Sequence, residues 1–219
     1  LDNSLNTLRL LQEAGFSEDM LGASSVISAD NIDEVVDLWK YLRQRKIRPH
    51  FEILTPQGRL LSHQELEVDL RRLQAVFTEI EQYDRSIGHA WDAQPPLVGA
   101  KCLRHTYSAL INAEGEVFPC VGIDIAIGNI LAQPLAKILR DSVIIKDLKN
   151  HQEMIKGPCR VCDKATSCYG CRGAAYQLTG DYLASDPRCW RNADKQAEIQ
   201  ALPVAALSYI PHRPPMAMV

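Results

Sequence analysis

The first third of the chain switches between two hydrophobic periods. Leu5, Leu8, Leu10 and Leu11 recur at helical spacing and Gly15 stands where such a helix would stop, so residues 5–14 predict a helix. Residues 20–28 (MLGASSVIS) are small and apolar with β-branched residues near their end, the pattern of a buried strand. Asp30 or Asn31 then caps a second helix, with Asp33 and Glu34 in its first turn and Ile32, Val35, Val36, Trp39 and Leu42 along one face, ending near Lys46. Residues 50–54 (HFEIL) predict the next strand, closed by Thr55-Pro56-Gln57-Gly58. Ser62 and Glu65 have capping-box spacing and open a helix to about Tyr83. Two β-α units in this order predict a parallel sheet with helical crossovers. Two units cannot close a barrel, so further units before Leu1, or pairing outside the chain, are expected.

The pattern changes near Trp91. Gln94-Pro95-Pro96 reads as a linker. Residues 108–112 (SALIN) and 117–121, joined by Ala113-Glu114-Gly115-Glu116, predict a β-hairpin. Residues 134–140 predict a short helix with Leu135, Ile138 and Leu139 apolar. Beyond Cys189 the pattern fades, and residues 211–219, with three prolines, read as a loose tail.

Composition narrows the class. The 219 residues are 46% hydrophobic and 23% charged, within the globular range, which excludes a disordered, collagen-like or simple coiled-coil chain. No run approaches the roughly 18 apolar residues of a membrane span. A net charge of −3 offers no basic field for nucleic acid or anionic lipid, so neither is expected as a partner. The start, Leu1-Asp2-Asn3-Ser4, has no basic segment followed by an apolar one, so no secretory signal is expected there, and it lacks a methionine; the chain is expected to be the later part of a longer cytoplasmic polypeptide.

The chemistry concentrates in seven cysteines, Cys102, Cys120, Cys159, Cys162, Cys168, Cys171 and Cys189, four of them within 13 residues. An odd count and this crowding fit metal ligands better than a disulfide framework. Each C-x2-C pair lets two thiolates leave one tight turn toward metal, and Arg160, Lys164 and Arg172 supply positive charge that eases ionisation. Seven thiolates make one site of four and one of three. The three-thiolate site needs a different fourth ligand or keeps an open position. Structural zinc and iron–sulfur clusters both satisfy these spacings.

The order Cys102-x12-Gly115-x4-Cys120, then Cys159-x2-Cys162-x5-Cys168-x2-Cys171, then Cys189, resembles the SPASM domain of radical S-adenosylmethionine (SAM) enzymes. So do Gly115-Glu116-Val117-Phe118-Pro119-Cys120, Ile127-Gly128-Asn129-Ile130, Cys171-Arg172-Gly173 and Asp186-Pro187-Arg188-Cys189. One departure stands out: two residues separate Cys168 from Cys171, where the family more often has three. The resemblance implies an α/β chain: the C-terminal units of a partial (β/α)6 TIM-like barrel over residues 1–90, a small α+β SPASM domain with a β-hairpin over 91–195, and a tail over 196–219. It implies two auxiliary [4Fe-4S] clusters, the first on Cys102, Cys120 and Cys171, the second on Cys159, Cys162, Cys168 and Cys189. His105, Asp92 or an open iron position would complete the first. Ser28, Asn31, Glu52, Thr55 and Gln57 would lie at carboxyl ends of barrel strands, with Ser28, Asn31, Glu52 and Gln57 on the SAM or substrate side. The implied activity is an oxidoreductase reaction: SAM is cleaved reductively to methionine and a 5′-deoxyadenosyl radical that abstracts a substrate hydrogen.

The C-x3-C-x2-C loop that would hold the third, SAM-cleaving [4Fe-4S] cluster is absent from these 219 residues, so the chain by itself is expected to be inactive in SAM cleavage. The implied partners are a peptide, protein or small-molecule substrate and an electron donor such as flavodoxin or ferredoxin. A ferredoxin-like electron-transfer protein and a zinc-stabilised interaction module are the alternatives.

Other residues carry milder expectations. Trp39, Trp91 and Trp190 are core or docking residues; Tyr107, Tyr169 and Tyr182 pack in the core near cysteines; Asp181 and Asp186 are turn residues; His105 is a surface or hydrogen-bonded histidine unless it is a ligand.

Overall fold

The computed structural model describes residues 2–204, so the expected tail at 211–219 lies outside the described residues. The chain divides into two units, residues 1–54 with 58–101, and residues 55–57 with 102 onward.

The first unit holds α1 (Asp2–Glu13), β1 (Gly22–Ile27), α2 (Val35–Gln44), β2 (Arg48–Ile53) and α3 (Leu70–Ser86). β1 and β2 pair in parallel, in register from Gly22 opposite Arg48 to Ile27 opposite Ile53. The strand expected to be buried is only partly so: Gly22, Ser24 and Val26 are exposed, and only Ile27 is fully enclosed. The α2 stripe behaves as its period demands. Val35, Val36, Trp39 and Leu42 are buried, and the Trp39 ring meets Phe51 of β2 edge-on at 5.2 Å.

Two helix starts differ from expectation. Asn31 closes the turn after β1, its Oδ1 accepting from Ser28 N–H at 2.9 Å and its Nδ2 donating to Val26 O at 2.8 Å, so α2 begins only at Val35. Ser62 and Glu65 lie in short 3-10 turns (Gly58–Ser62, Gln64–Leu66). The real cap of α3 is Asp69, whose carboxylate accepts from the N–H groups of Arg71 and Arg72 at 2.9 and 3.0 Å. At the far end of α3, the fully buried Asp84 carboxylate accepts from Trp39 Nε1 (2.8 Å), Trp91 Nε1 (3.0 Å) and Arg43 (Nη2, 2.8 Å). That hub ties α2, α3 and the segment around Trp91 together.

The second unit opens with the single turn α4 (Arg104–Tyr107), then β3 (Leu110–Ile111), β4 (Glu116–Phe118) and β5 (Gly128–Asn129) in one antiparallel sheet ordered β3-β4-β5. The expected hairpin is present, with Leu110 opposite Phe118, and a third strand adds to it. Then follow α5 (Leu135–Asp141), α6 (Val143–Lys149), α7 (His151–Met154), α8 (Arg172–Thr179) and α9 (Gln196–Gln200), the last burying Ile199. Their core is Ile123, Ile125, Ile144, Leu148, Tyr169, Tyr182 and Leu183. Tyr107, expected in the core, is 73% exposed instead, because β3 and its flank are solvated. Among the described residues no helix is long and apolar enough to cross a membrane.

Candidate metal centre

Six of the seven thiols fall into two neighbourhoods. In the first, Cys120 lies just beyond β4 in a tight turn, its carbonyl accepting from Ile123 N–H at 3.2 Å, and Cys102 and Cys120 both pack on the apolar cluster that contains Tyr169. Cys171 caps α8, its Sγ accepting from Ala174 N–H at 3.3 Å. The charges Cys171 feels come from Asp186, Cys120 and Cys102, and those on the buried Tyr169 phenol include the same three thiols. A backbone crossing brings Cys120 and Cys171 together. A Cβ on Gly122 would stand 2.7 Å from Gly173 Cα, and one on Gly173 2.8 Å from Gly122 Cα, so only two glycines let the chains approach so closely.

The second neighbourhood is built from a 3-10 turn (Gly157–Val161) and the segment after Asp186. Cys159 N–H donates to Ser185 Oγ at 2.8 Å, and that hydroxyl donates to Lys156 O at 2.6 Å. Asn192 Nδ2 donates to Cys159 Sγ at 3.3 Å and to Asp186 O at 2.8 Å. Cys189 feels the charges of Asp186, Cys159 and Cys168, and Cys168 those of Asp186, Cys159 and Arg172. Cys162 stands apart. Its Sγ donates to Asp163 Oδ1 at 3.3 Å and it borders a surface hollow of about 360 Å3 shared with Arg191 and Lys195.

Between the neighbourhoods lies Asp186, fully buried, accepting from Cys171 N–H at 2.7 Å and Arg188 N–H at 2.8 Å. It is the turn residue expected from the sequence, and while its buried carboxylate holds Cys171, its main-chain carbonyl accepts from Cys189 N–H at 3.3 Å. Burial raises its pKa against the pull of Arg172. Burial and then the Asp186 charge push the Cys171 thiol up to about 12 and raise Cys168 and Cys189 as well. Without metal these thiols stay protonated near neutral pH; a bound cation would supply the missing stabilisation and displace their protons.

The donor set fits an iron–sulfur group. It is all thiol, and a buried cation, Arg172, lies beside it with Nη2 lacking any partner. Among the described residues no three His, Cys, Asp or Glu side chains stand close enough to hold one metal ion.

His105 is buried rather than superficial, 7% exposed and stacked on Tyr169 at 4.1 Å, with His151 against both rings. Its Nδ1 has no partner, and burial, aided by His151 and Lys149, lowers its pKa from 6.5 to about 4. Asp92 is exposed in the first unit, 3.8 Å from Arg85. Ser28 and Asn31 follow β1 and bond to each other, Glu52 is half-buried in β2, and Gln57 groups with the second unit. Ser185 and Asn192 were not singled out from the sequence, since neither residue type signals a metal shell by itself.

Part of this segment is similar to known proteins. The model of the SPASM iron–sulfur cluster-binding domain matches residues 102–163. An AdoMet-dependent heme synthase of Methanosarcina barkeri is 38% identical over 88 residues, covering 40% of this chain and 25% of that protein. A second, from Nitratidesulfovibrio vulgaris, is 34% identical over 88 residues (40% and 24%). A PqqA peptide cyclase of Methylobacterium sp. (strain 4-46) is 33% identical over 100 residues (43% and 26%). The chain thus spans about a quarter of the length of these relatives. Residues 102–163 of this chain thus match the SPASM iron–sulfur cluster-binding domain, and the chain is similar to proteins named AdoMet-dependent heme synthase and PqqA peptide cyclase.

Proposed function

We propose that this chain is the C-terminal, auxiliary-cluster portion of a radical SAM/SPASM enzyme that modifies a peptide, protein or small molecule in the cytoplasm. One observation carries the reading. Cys102, Cys120 and Cys171 share one neighbourhood while Cys159, Cys168 and Cys189 share another, although Cys168 and Cys171 are only three residues apart. That interleaving favours two [4Fe-4S] clusters, the first on Cys102, Cys120 and Cys171, the second on Cys159, Cys162, Cys168 and Cys189, with Cys162 turning inward from Asp163. His105, buried with an unpartnered Nδ1 three residues after Cys102, is the better candidate for a fourth ligand to the first than the exposed Asp92.

Bound clusters of this kind accept and pass single electrons. The chain's own residues do the rest. Ser185 and Asn192 hold Cys159, Asp186 holds the Cys171 and Cys189 segments, and Tyr169, Tyr182 and their apolar neighbours exclude water. The parallel β1-β2 pair, with Val26 43% exposed, supports a place for the first unit in a larger barrel, where Ser28, Asn31, Glu52 and Gln57 would face SAM or substrate. SAM and a third cluster belong to the full-length enzyme, as does reduction by a flavodoxin- or ferredoxin-like donor. The cyclase relative, named for a peptide, favours a peptide substrate.

Anaerobic loading with iron and sulfide tests this reading. The expected result is a brown protein with about eight irons per chain. Cys102→Ala and Cys159→Ala should each lose about half of them. A colourless chain with stoichiometric zinc would refute the cluster assignment. Two clusters in a full-length enzyme that passes electrons but never consumes SAM would leave a ferredoxin-like carrier.

A further inference from the structure

Arg172 is the most deeply buried arginine among the described residues of the second unit, at 2% exposure. Three of its bonds are ordinary. Nε donates to Tyr169 O at 2.9 Å, and Nη1 donates to Ala184 O at 2.5 Å and Tyr182 O at 3.3 Å. Those bonds already staple the segments before and after α8. Nη2 has no acceptor at all, an arrangement that a buried N–H rarely tolerates.

Its position is informative. A Cβ on Gly170 would lie 2.9 Å from Nη2 and 3.2 Å from Asp186 Oδ2, and Gly170 has φ +62°. Any side chain there would fill the space that Nη2 occupies. Gly170 sits inside the Cys168-x2-Cys171 loop, whose two sulfurs go to different neighbourhoods. Asp186 Oδ2 does not satisfy Nη2; it accepts from Cys171 N–H. The free donor therefore stands within the loop that joins the two thiol sets, and Arg172's charge reaches both the Cys168 sulfur and the Tyr169 ring.

Resting on the proposed cluster binding, we infer that Arg172 is a positioning residue for the iron–sulfur shell. Its free Nη2–H donates a hydrogen bond to a cluster sulfur at the Cys168–Cys171 loop and raises that cluster's reduction potential. The physical basis is general: a positive charge and a hydrogen bond at the sulfurs stabilise the reduced, more negative state.

The test uses the anaerobically loaded chain. In wild-type protein carrying arginine labelled with ¹⁵N only in the guanidinium, the reduced cluster should show a ¹⁵N hyperfine coupling by pulsed EPR. Arg172→Lys should abolish it. Arg172→Gln should shift the midpoint potential to a more negative value, and Arg172→Lys should shift it less. A purely structural staple would leave both readouts unmoved in every variant that loads iron. If neither variant loads iron, the labelled wild type decides alone. Iron held without coupling overturns the role of Arg172 and leaves the proposed function standing. A wild-type chain that holds no iron–sulfur cluster overturns the function first.

Discussion

Replacing Gly173 with alanine puts one methyl group into a close backbone crossing of the second unit. The new Cβ would lie 2.8 Å from Gly122 Cα, 3.3 Å from Gly122 C and 3.4 Å from Gly122 O. Carbon atoms pack best at about 3.5–4.0 Å, so the two segments must separate by roughly 0.7–1.2 Å. Neither side can yield by a rotamer change, because both are main chain. Overpacking of this kind costs about 1–3 kcal/mol. The displacement has a direct target: Gly173 is two residues beyond Cys171 and Gly122 two beyond Cys120, so separating them separates those sulfurs. The expected result is a chain that loads about half the wild-type iron, with the neighbourhood of Cys159 unaffected. Iron and sulfide counts with Mössbauer spectra read the loading, and urea titration of the metal-free protein reads the cost. Full loading and wild-type stability in both G173A and G122A would refute the claim that this crossing sets the first site.

Asp84→Ala strands the Arg43 guanidinium and two indole N–H groups, so the first unit should lose about 3–5 kcal/mol in urea titration, with altered fluorescence from Trp39 and Trp91. Ser185→Ala removes the acceptor for Cys159 N–H and the donor to Lys156 O; about 1–3 kcal/mol of stability and part of the iron at the Cys159 site should go with it, read by the same counts. The His105 pKa lies below that of the unfolded chain, so folding holds fewer protons, and its stabilisation is intact above pH 6.5 and lost as pH falls toward 4. Acid titration of the metal-free chain should show a loss of at most about 3 kcal/mol over that interval, largely removed in His105→Gln.

How much of this was legible in the sequence depended on how local the signal was. The α2 stripe and the two strands beside it follow from side-chain period, and the structure reproduces them to within a few residues. The start of α3 did not follow, because Ser62 and Glu65 have capping-box spacing, whereas Asp69 caps the helix with no Glu or Gln three residues on. Short strands such as β5, two residues long, carry no period to detect. The cysteines suggest a metal shell through type and spacing, the reading proposed above. Their supports, Ser185, Asn192 and Asp186, act through contacts between residues up to 33 apart, which no window along the chain reveals. The burial of His105 was likewise invisible, since it comes from stacking on a tyrosine 64 positions later.

The Cys168-x2-Cys171 loop has one more consequence. Three peptide steps reach at most about 11 Å, so donors assigned to different clusters are leashed by a short tether. In the proposed arrangement that leash keeps the two redox centres within tunnelling range however the rest of the enzyme breathes. Electron flow between them would then be a fixed wire rather than a switch, leaving regulation to the points where electrons enter and leave.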